Sequence, residues 1–280
     1  MSFISRIGEL SGFHHIDREF LSGNSYALLG AFRQEWRTVR RTSSYANFII
    51  SGIFNVIILA WIARQTTNPV AIAYLALGSS LMLIWFNSVF QVGWALSDER
   101  WNGLLDVSLI SRTPLIVAML GKSLAISIFS ILSGSGAFIV VLLVSQHPLP
   151  LANLPFSLAS LAVTMFVIIC TGFIFCPITV LIGEPSGFFA TVMPFGTVCS
   201  GFLYPVHILP AALQFIARGL PTSWAMEAVI MSTTGSGSNW DIVVKLIVAL
   251  ALAVVYLFVT QLLFRLVEWR VRVTSTLTTL

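Results

Sequence analysis

Six long apolar runs, separated by short polar or Pro/Gly-rich punctuation, set the rhythm of this 280-residue chain. Wound as a helix at 1.5 Å per residue, a run of about 20 residues reaches the roughly 30 Å of a bilayer's hydrocarbon core. Backbone amides find no water there, so a crossing segment must satisfy them internally, which selects helices. The pattern predicts spans over 46–63, 70–96, 115–144, 156–182, 188–205 and 242–266. Gln65-Thr66-Thr67-Asn68-Pro69 is a turn too short to be a domain. His147-Pro148-Leu149-Pro150 ends the third run, because proline removes a donor and collides with the preceding turn. Gly183-Glu184-Pro185-Ser186-Gly187 punctuates the fourth. Residues 206–232 behave differently: their apolar stretches are cut by Pro210, Gly219 and Pro221, too short to cross twice and too apolar for a solvated loop. A re-entrant pair of short helices fits that pattern.

Two stretches carry helical periodicity with a polar side. In 26–45, Leu29, Phe32, Trp36 and Val39 share one face, with Arg33, Arg37, Arg40 and Arg41 around the rest. Such a helix lies in the membrane interface with its arginines among anionic headgroups, either as an anchor alone or also touching a cytoplasmic partner. In 97–113, Ser97 or Asp98 is placed to cap a helix whose acidic first turn, Asp98 and Glu99, suits the positive dipole end. Trp101, Leu104, Leu105, Ser108 and Leu109 then recur at i, i+3, i+4, i+7 and i+8, opposite Arg100, Asn102 and Asp106. The chain thus divides into a tail (1–25), an interfacial helix (26–45), a six-span body (46–272) and a second tail (273–280).

Composition agrees with this division. With 57% hydrophobic and 9% charged residues and a mean hydropathy of +0.92, the chain has lipid as its main solvent, which excludes a soluble enzyme domain. Twelve of the fifteen lysines and arginines fall on one side if both termini are cytoplasmic, leaving only Arg64, Arg218 and Lys245 outside. That asymmetry predicts an even number of spans in the cytoplasmic (inner) membrane with both ends inside. Charged residues through Glu19 precede any long apolar run, unlike a cleaved signal peptide. No basic patch is interleaved with aromatics, so nucleic acid is not an expected partner.

Candidate chemistry is sparse. Cys170, Cys176 and Cys199 fall in apolar runs and read as small lipid-compatible side chains. His14-His15 lies in an unpatterned tail without further ligands, so no metal is expected. No nucleophile motif or carboxylate pair marks a catalytic set. Asn87, Gln91, Trp94 and Asp98 recur on one face of the second span, and Asn47, Ser51 and Asn55 at steps of four on the first. Ser51, Asn55, Asn87, Gln91 and Trp94 either line a path for cargo or act as interhelical hydrogen-bonding glue. On the fifth span Gly196 with Ser200, and Thr197 with Gly201, form small-xxx-small pairs suited to a second copy of the chain.

The run Glu99-Arg100-x-x-Gly103-x-Leu105-Asp106, Leu109-Ile110-Ser111, Pro114 and Gly121-Lys122 resembles the signature between the second and third spans of type-2 ABC exporter permeases. Downstream, Gly201-Phe202-Leu203-Tyr204-Pro205, Leu209-Pro210, Leu213-Gln214, Leu220-Pro221 and Glu227 are similar to that family's signature after the fifth span. The resemblance covers Tyr26 to Arg272, with Pro114 about two residues later than the family pattern places it. It implies an all-α polytopic membrane protein of about six spans, with a coupling helix (97–113) docking on a cytoplasmic ATPase through Asp98, Glu99, Arg100, Gly103, Leu105 and Asp106. It also implies a re-entrant segment (206–232) with Tyr204, Pro205, Pro210, Pro221 and Glu227 as an outer gate. A carboxylate close to the outer membrane face is costly unless paired or wet, so Arg218 or Lys245 would partner Glu227, which either gates or contacts cargo or snorkels in a structural role alone. Two ATPase subunits and a second permease chain, identical or not, complete the assembly among membrane lipids.

ATP and Mg would belong to the partner. A nucleotide-hydrolysing domain needs a GxxxxGK[ST] loop, and the nearest candidate here, Gly121-Lys122-Ser123, lacks the upstream glycine and begins a span. The resemblance thus implies outward transport, and an amphipathic drug, lipid or lipid-linked glycan would each suit a path bearing amides and aromatics, with no charge cluster to single one out. The alternatives are an ATP-independent secondary transporter or channel, which needs internal repeats or intramembrane acids, and then a membrane-embedded enzyme.

Overall fold

The computed structural model describes residues 25–40, 56–66 and 68–103 apart from Ala63 and Asn102, 115–145, 152–182 and 185–274. Ser51, Asn55, Leu105 and Asp106, most of the expected first span and coupling helix, and residues 1–24 and 275–280 lie outside the described residues. Among the described residues there are helices and short connections and no strand. Helix α1 covers 25–40 and α2 covers 56–62. Helix α3 runs through Pro69–Ala73, a π-helical turn at Tyr74–Gly78, and Ser79–Trp101. Then come α4 (Leu115–Ser145), α5 (Leu154–Ile182) and α6 (Pro185–Cys199). After a 3-10 turn at Val206–Ile208 follow α7 (Ala211–Gly219), α8 (Pro221–Thr234) and α9 (Asn239–Thr274).

The punctuation acts as its chemistry requires. Asn68 Oδ1 accepts from the Val70 amide at 3.0 Å and Pro69 opens α3, where its missing N–H costs nothing. Pro185 and Pro221 likewise open α6 and α8, and Gly235, at φ 67°, closes α8 in the left-handed conformation that glycine adopts freely. Among the described residues four helices are long and apolar enough to cross a membrane: Val70–Glu99, Leu115–Val144, Leu154–Ile182 and Asn239–Arg270. Helix α6 is shorter than the expected fifth span. It stops at Cys199, and Gly201 at φ 69° turns the chain, so Tyr204 and Pro205 fall in the following loop. Helices α7 and α8, about 14 and 21 Å long, break at Pro210, Gly219 and Pro221 as the sequence implies.

Helix α3 is the axis of the bundle: 72% of its apolar window is buried, against 17% for α9. Apolar burial gains little against lipid tails, so close contact between small residues does the packing. On α4 a seam of Ser123, Ser127, Ser130, Gly134, Ala137 and Val141 is buried. It packs on α3, where a Cβ at Gly134 would meet Ile84 Cγ1 at 2.1 Å. Ala137 and Val141 cluster there with Ala76 and Leu83. The serine hydroxyls turn back onto their own helix, Ser127 to the Ser123 carbonyl at 2.7 Å and Ser130 to that of Ile126 at 2.9 Å, so the seam carries no unmet donors. Leu124, Ile128, Leu132, Ile139 and Leu143 on the opposite face are exposed, the surface lipid would cover.

Further glycine contacts, with side chain or backbone, surround α3. Phe189 of α6 occupies the space beside Gly93, and the carbonyl oxygen of Phe202 would stand 1.8 Å from a Cβ on Gly78. Gly172 of α5 faces the Ser88 backbone, where a Cβ would stand 3.3 Å from it. Beside that glycine contact, Thr179 of α5 donates to the Gly93 carbonyl at 2.7 Å. Small residues at and just after the end of α6, expected to meet a second chain, have close neighbours within this one. Gly196 abuts Trp85, Ser200 accepts from Thr222 at 3.0 Å, and Gly201 packs on Val206.

Exposed Trp240 and Trp269 mark the two ends of α9. They lie 29 residues apart, about 44 Å along a helix, the separation of the two interfaces of a bilayer. The α8 side of the bundle gathers Ala152, whose amide donates to the Thr233 carbonyl at 3.0 Å, and the start of α9. The opposite end gathers Leu96, Leu115, Met119, Cys176 and Phe264 in one cluster, with α1 beside it.

Candidate functional site

The end of α3 differs from the expected start of a separate helix. Nothing between Ser97 and Trp101 breaks the winding, so Ser97 and Asp98 are interior helix positions and not the start of a new helix, and the turn comes at Gly103, at φ 68°. Asp98, Glu99 and Arg100 therefore form the last turn of a long helix, rigidly joined to the bundle axis. Asp98, Trp101 and Gly103 are exposed. Glu99 points the other way, 7% exposed, with Oε1 2.5 Å from the ammonium of Lys122 on α4. Lys122 is itself 6% exposed and reaches Glu35 of α1, 8% exposed, at 3.9 Å.

Sequence reasoning missed this triad, and a signal for it existed: Lys122 is the one cation within the third apolar run. A lone ammonium in a span is costly unless paired. The expected face of α1 is buried at Val39, but Leu29 on that face is about half exposed and Glu35, outside it, is buried. Docking on α4 rather than on lipid alone explains the difference. Gly121 lets the two backbones meet, because a Cβ there would stand 2.4 Å from the Leu28 carbonyl oxygen. Val92, Leu96, Leu115, Met119 and Ile126, flanking Glu99 and Lys122 on their own helices, supply apolar walls.

Along α3, the expected path residues are placed unequally. Asn87 is buried and its amide reaches Ser133 Oγ at 3.5 Å. Gln91 and Trp94 are half-buried, with Trp94 packed between Phe90 and Trp101 at centroid distances of 5.5 and 5.1 Å. Among the described residues, Trp85 Nε1, Asn87 Oδ1, Ser88 Oγ and Glu99 Oε2 are buried side-chain atoms that meet no hydrogen-bonding partner. Trp85, Asn87 and Ser88 lie within about one turn of the central helix and bring polar atoms into an apolar body.

At the opposite end, Glu227 of α8 is held by both candidate partners. Arg218 of α7 sits 3.0 Å from Oε1, and Lys245 of α9 bonds Oε2. Trp224, one turn before Glu227 on α8, lies under both cations, 4.6 Å from the Arg218 guanidinium and 5.2 Å from the Lys245 ammonium. Its indole N–H donates to the Arg218 carbonyl at 2.9 Å. The Gln214 amide closes the loop before α7 by donating to the His207 and Leu209 carbonyls at 3.0 and 2.7 Å. Pro205 precedes the 3-10 turn, Pro210 leads into α7 and Pro221 opens α8, so the three prolines frame these short helices. Tyr204 donates to the Val198 carbonyl at 3.1 Å, and burial, helped by the nearby Cys199, raises its phenol above the usual range, keeping it a neutral donor.

The three cysteines are buried free thiols, and no group of three or more metal-ligating side chains stands together among the described residues. What the geometry offers is mechanical: a charged turn at one end of the central helix, a charge-clamped pair of short helices at the other, and no reactive centre joining them in the described structure. No curated protein matches this chain. The model of the ABC-2 family transporter proteins matches residues 38–262, which takes in both charged ends and the helices between them. A chain so matched over most of its length belongs to the ABC-2 transporter family, as a transmembrane permease.

Proposed function

We propose that this permease is the membrane subunit of an ATP-driven exporter, moving an amphipathic or lipid-like cargo outward across the cytoplasmic membrane. It works as a pair of permease chains with two copies of a separate ATPase that binds ATP and Mg. In this reading the chain crosses the membrane six times with both termini inside, α7 and α8 form a re-entrant pair in the outer leaflet, and residues 98–111 receive the ATPase. The observation that carries the reading is the continuous winding of α3 from Pro69 to Trp101. A push on the exposed Asp98 side travels without a joint to the π turn beside Phe202 and the Glu227 clamp.

Purification of the permease together with the products of neighbouring genes tests this. A bound ATPase is the expected finding, with its retention lost when Asp98→Lys and Arg100→Glu are combined. Cargo moved down an ion gradient by vesicles holding this chain alone would replace the reading with a secondary transporter.

A further inference from the structure

We propose that Lys122 is the positioning residue that ties the ATPase-facing turn of α3 to both α1 and α4, so that the three elements move as one body. The inference rests on the reading of residues 98–111 as the ATPase contact, but the tie itself is a separate claim. One ammonium stands between two carboxylates contributed by two other helices, Glu99 at 2.5 Å and Glu35 at 3.9 Å, and all three residues are less than a tenth exposed. Burying three charges is not an economical way to hold helices together, since apolar packing of the same volume does as well or better. Buried ionic groups do fix one arrangement against its neighbours, because any slip strands a charge in an apolar wall. The walls are present in Val92, Leu96, Leu115, Met119 and Ile126.

The neighbouring contacts show why the tie must be ionic at this place. Gly121 brings the α4 backbone against the Leu28 carbonyl of α1 and beside Ala31, and a glycine offers no side chain to fix the register of that contact. Lys122, the next residue, extends from that contact to Glu99 and supplies the register that the glycine lacks. Force entering at Asp98 is then shared, one residue later, with α4 and with the interfacial helix. The pair Gly121-Lys122 therefore joins a close approach to a lock, each needing the other.

Two measurements test the tie. In the first, spin labels at Arg37→Cys on α1 and Asp98→Cys on α3 report the separation of those helices in nanodiscs, the three native cysteines being buried. A narrow distance distribution is expected for the otherwise native chain and for Lys122→Arg, and a broad or displaced one for Lys122→Met. An unchanged distribution in folded Lys122→Met overturns the proposal whatever the ATPase does. In the second, the permease–ATPase complex is made with Lys122→Met, Glu35→Gln and Glu99→Gln together, which removes all three charges of the tie at once. The ATPase should stay bound while the effect of the permease on ATP turnover falls to that of the ATPase alone. Normal coupling in this variant overturns the proposal by reducing the triad to a fold element. Should no ATPase bind the native chain, the proposed function fails and the spin-label distances alone decide the role of Lys122.

Discussion

The indole of Trp85 on α3 fills the place that a side chain at Gly196 on α6 would need: a Cβ there would stand 2.7 Å from Cη2 of the ring. Trp85 is 2% exposed and also packs on Phe202, with ring centroids 6.0 Å apart. One glycine thus lets the fifth long apolar segment lie against the bundle axis.

Enlarging that notch residue should be felt. Gly196→Val overpacks the contact and is expected to cost about 1–3 kcal/mol, read as a lower midpoint in detergent melts. Combining it with Trp85→Phe, which shortens the knob, should recover part of the loss. Equal and additive losses would show that the two residues do not press on each other.

Gly78 is the stricter case, because its neighbour is backbone. A Cβ would lie 1.8 Å from the Phe202 carbonyl oxygen, so Gly78→Ala must move α3 or the Gly201–Pro205 loop. Gly136 on α4 has nothing within 4 Å, and Gly136→Ala should be neutral or slightly stabilising. Comparing the two variants in one melting series separates a steric demand from a general preference for glycine.

Glu227 is expected to hold the two short helices to α9. Glu227→Gln leaves Arg218 and Lys245 facing each other and should destabilise the chain by about 2 kcal/mol, discounted from a fully buried value because the Arg218 side chain is 38% exposed. Adding Lys245→Met removes the repulsion and should return part of that loss. Limited proteolysis within 201–220 is the local readout, with faster cleavage in the single variant.

Much of this layout was legible because proline and glycine act locally. Pro210, Gly219 and Pro221 delimit α7 and α8 wherever the rest of the chain lies, so reading them required no tertiary knowledge. The end of α3 was not legible in the same way. The charged run from Asp98 looked like a new helix because polarity changes there, yet winding stops only where Gly103 allows it. The buried face of α1 was hidden for a third reason: Glu35 counts as polar in any periodicity and is buried by a lysine 87 positions away. The serine–glycine seam of α4 carries a three-and-four spacing that the sequence reading passes over, whereas on α6 Gly196 and Ser200, read by the same chemistry as a contact for a second chain, meet Trp85 and Thr222 within the chain.

Sidedness can be checked with single cysteines at exposed positions. Labels at Gln65→Cys and Ser236→Cys should react in intact cells, while Asp98→Cys should react only after the membrane is opened. The reverse pattern would invert the orientation while leaving the helix packing intact.

The π turn at Tyr74–Gly78 has a reach well beyond its five residues. One residue more or less in a helix rotates everything after it by about 100°, so the wide turn sets the phase of the whole lower part of α3. Were it to tighten into ordinary winding while its upper end stayed fixed, Glu99 would swing out of line with Lys122 and Trp85 would leave its notch. A single residue deleted between Tyr74 and Gly78 should therefore be felt some twenty residues away, as a mismatch of azimuth rather than a loss of length.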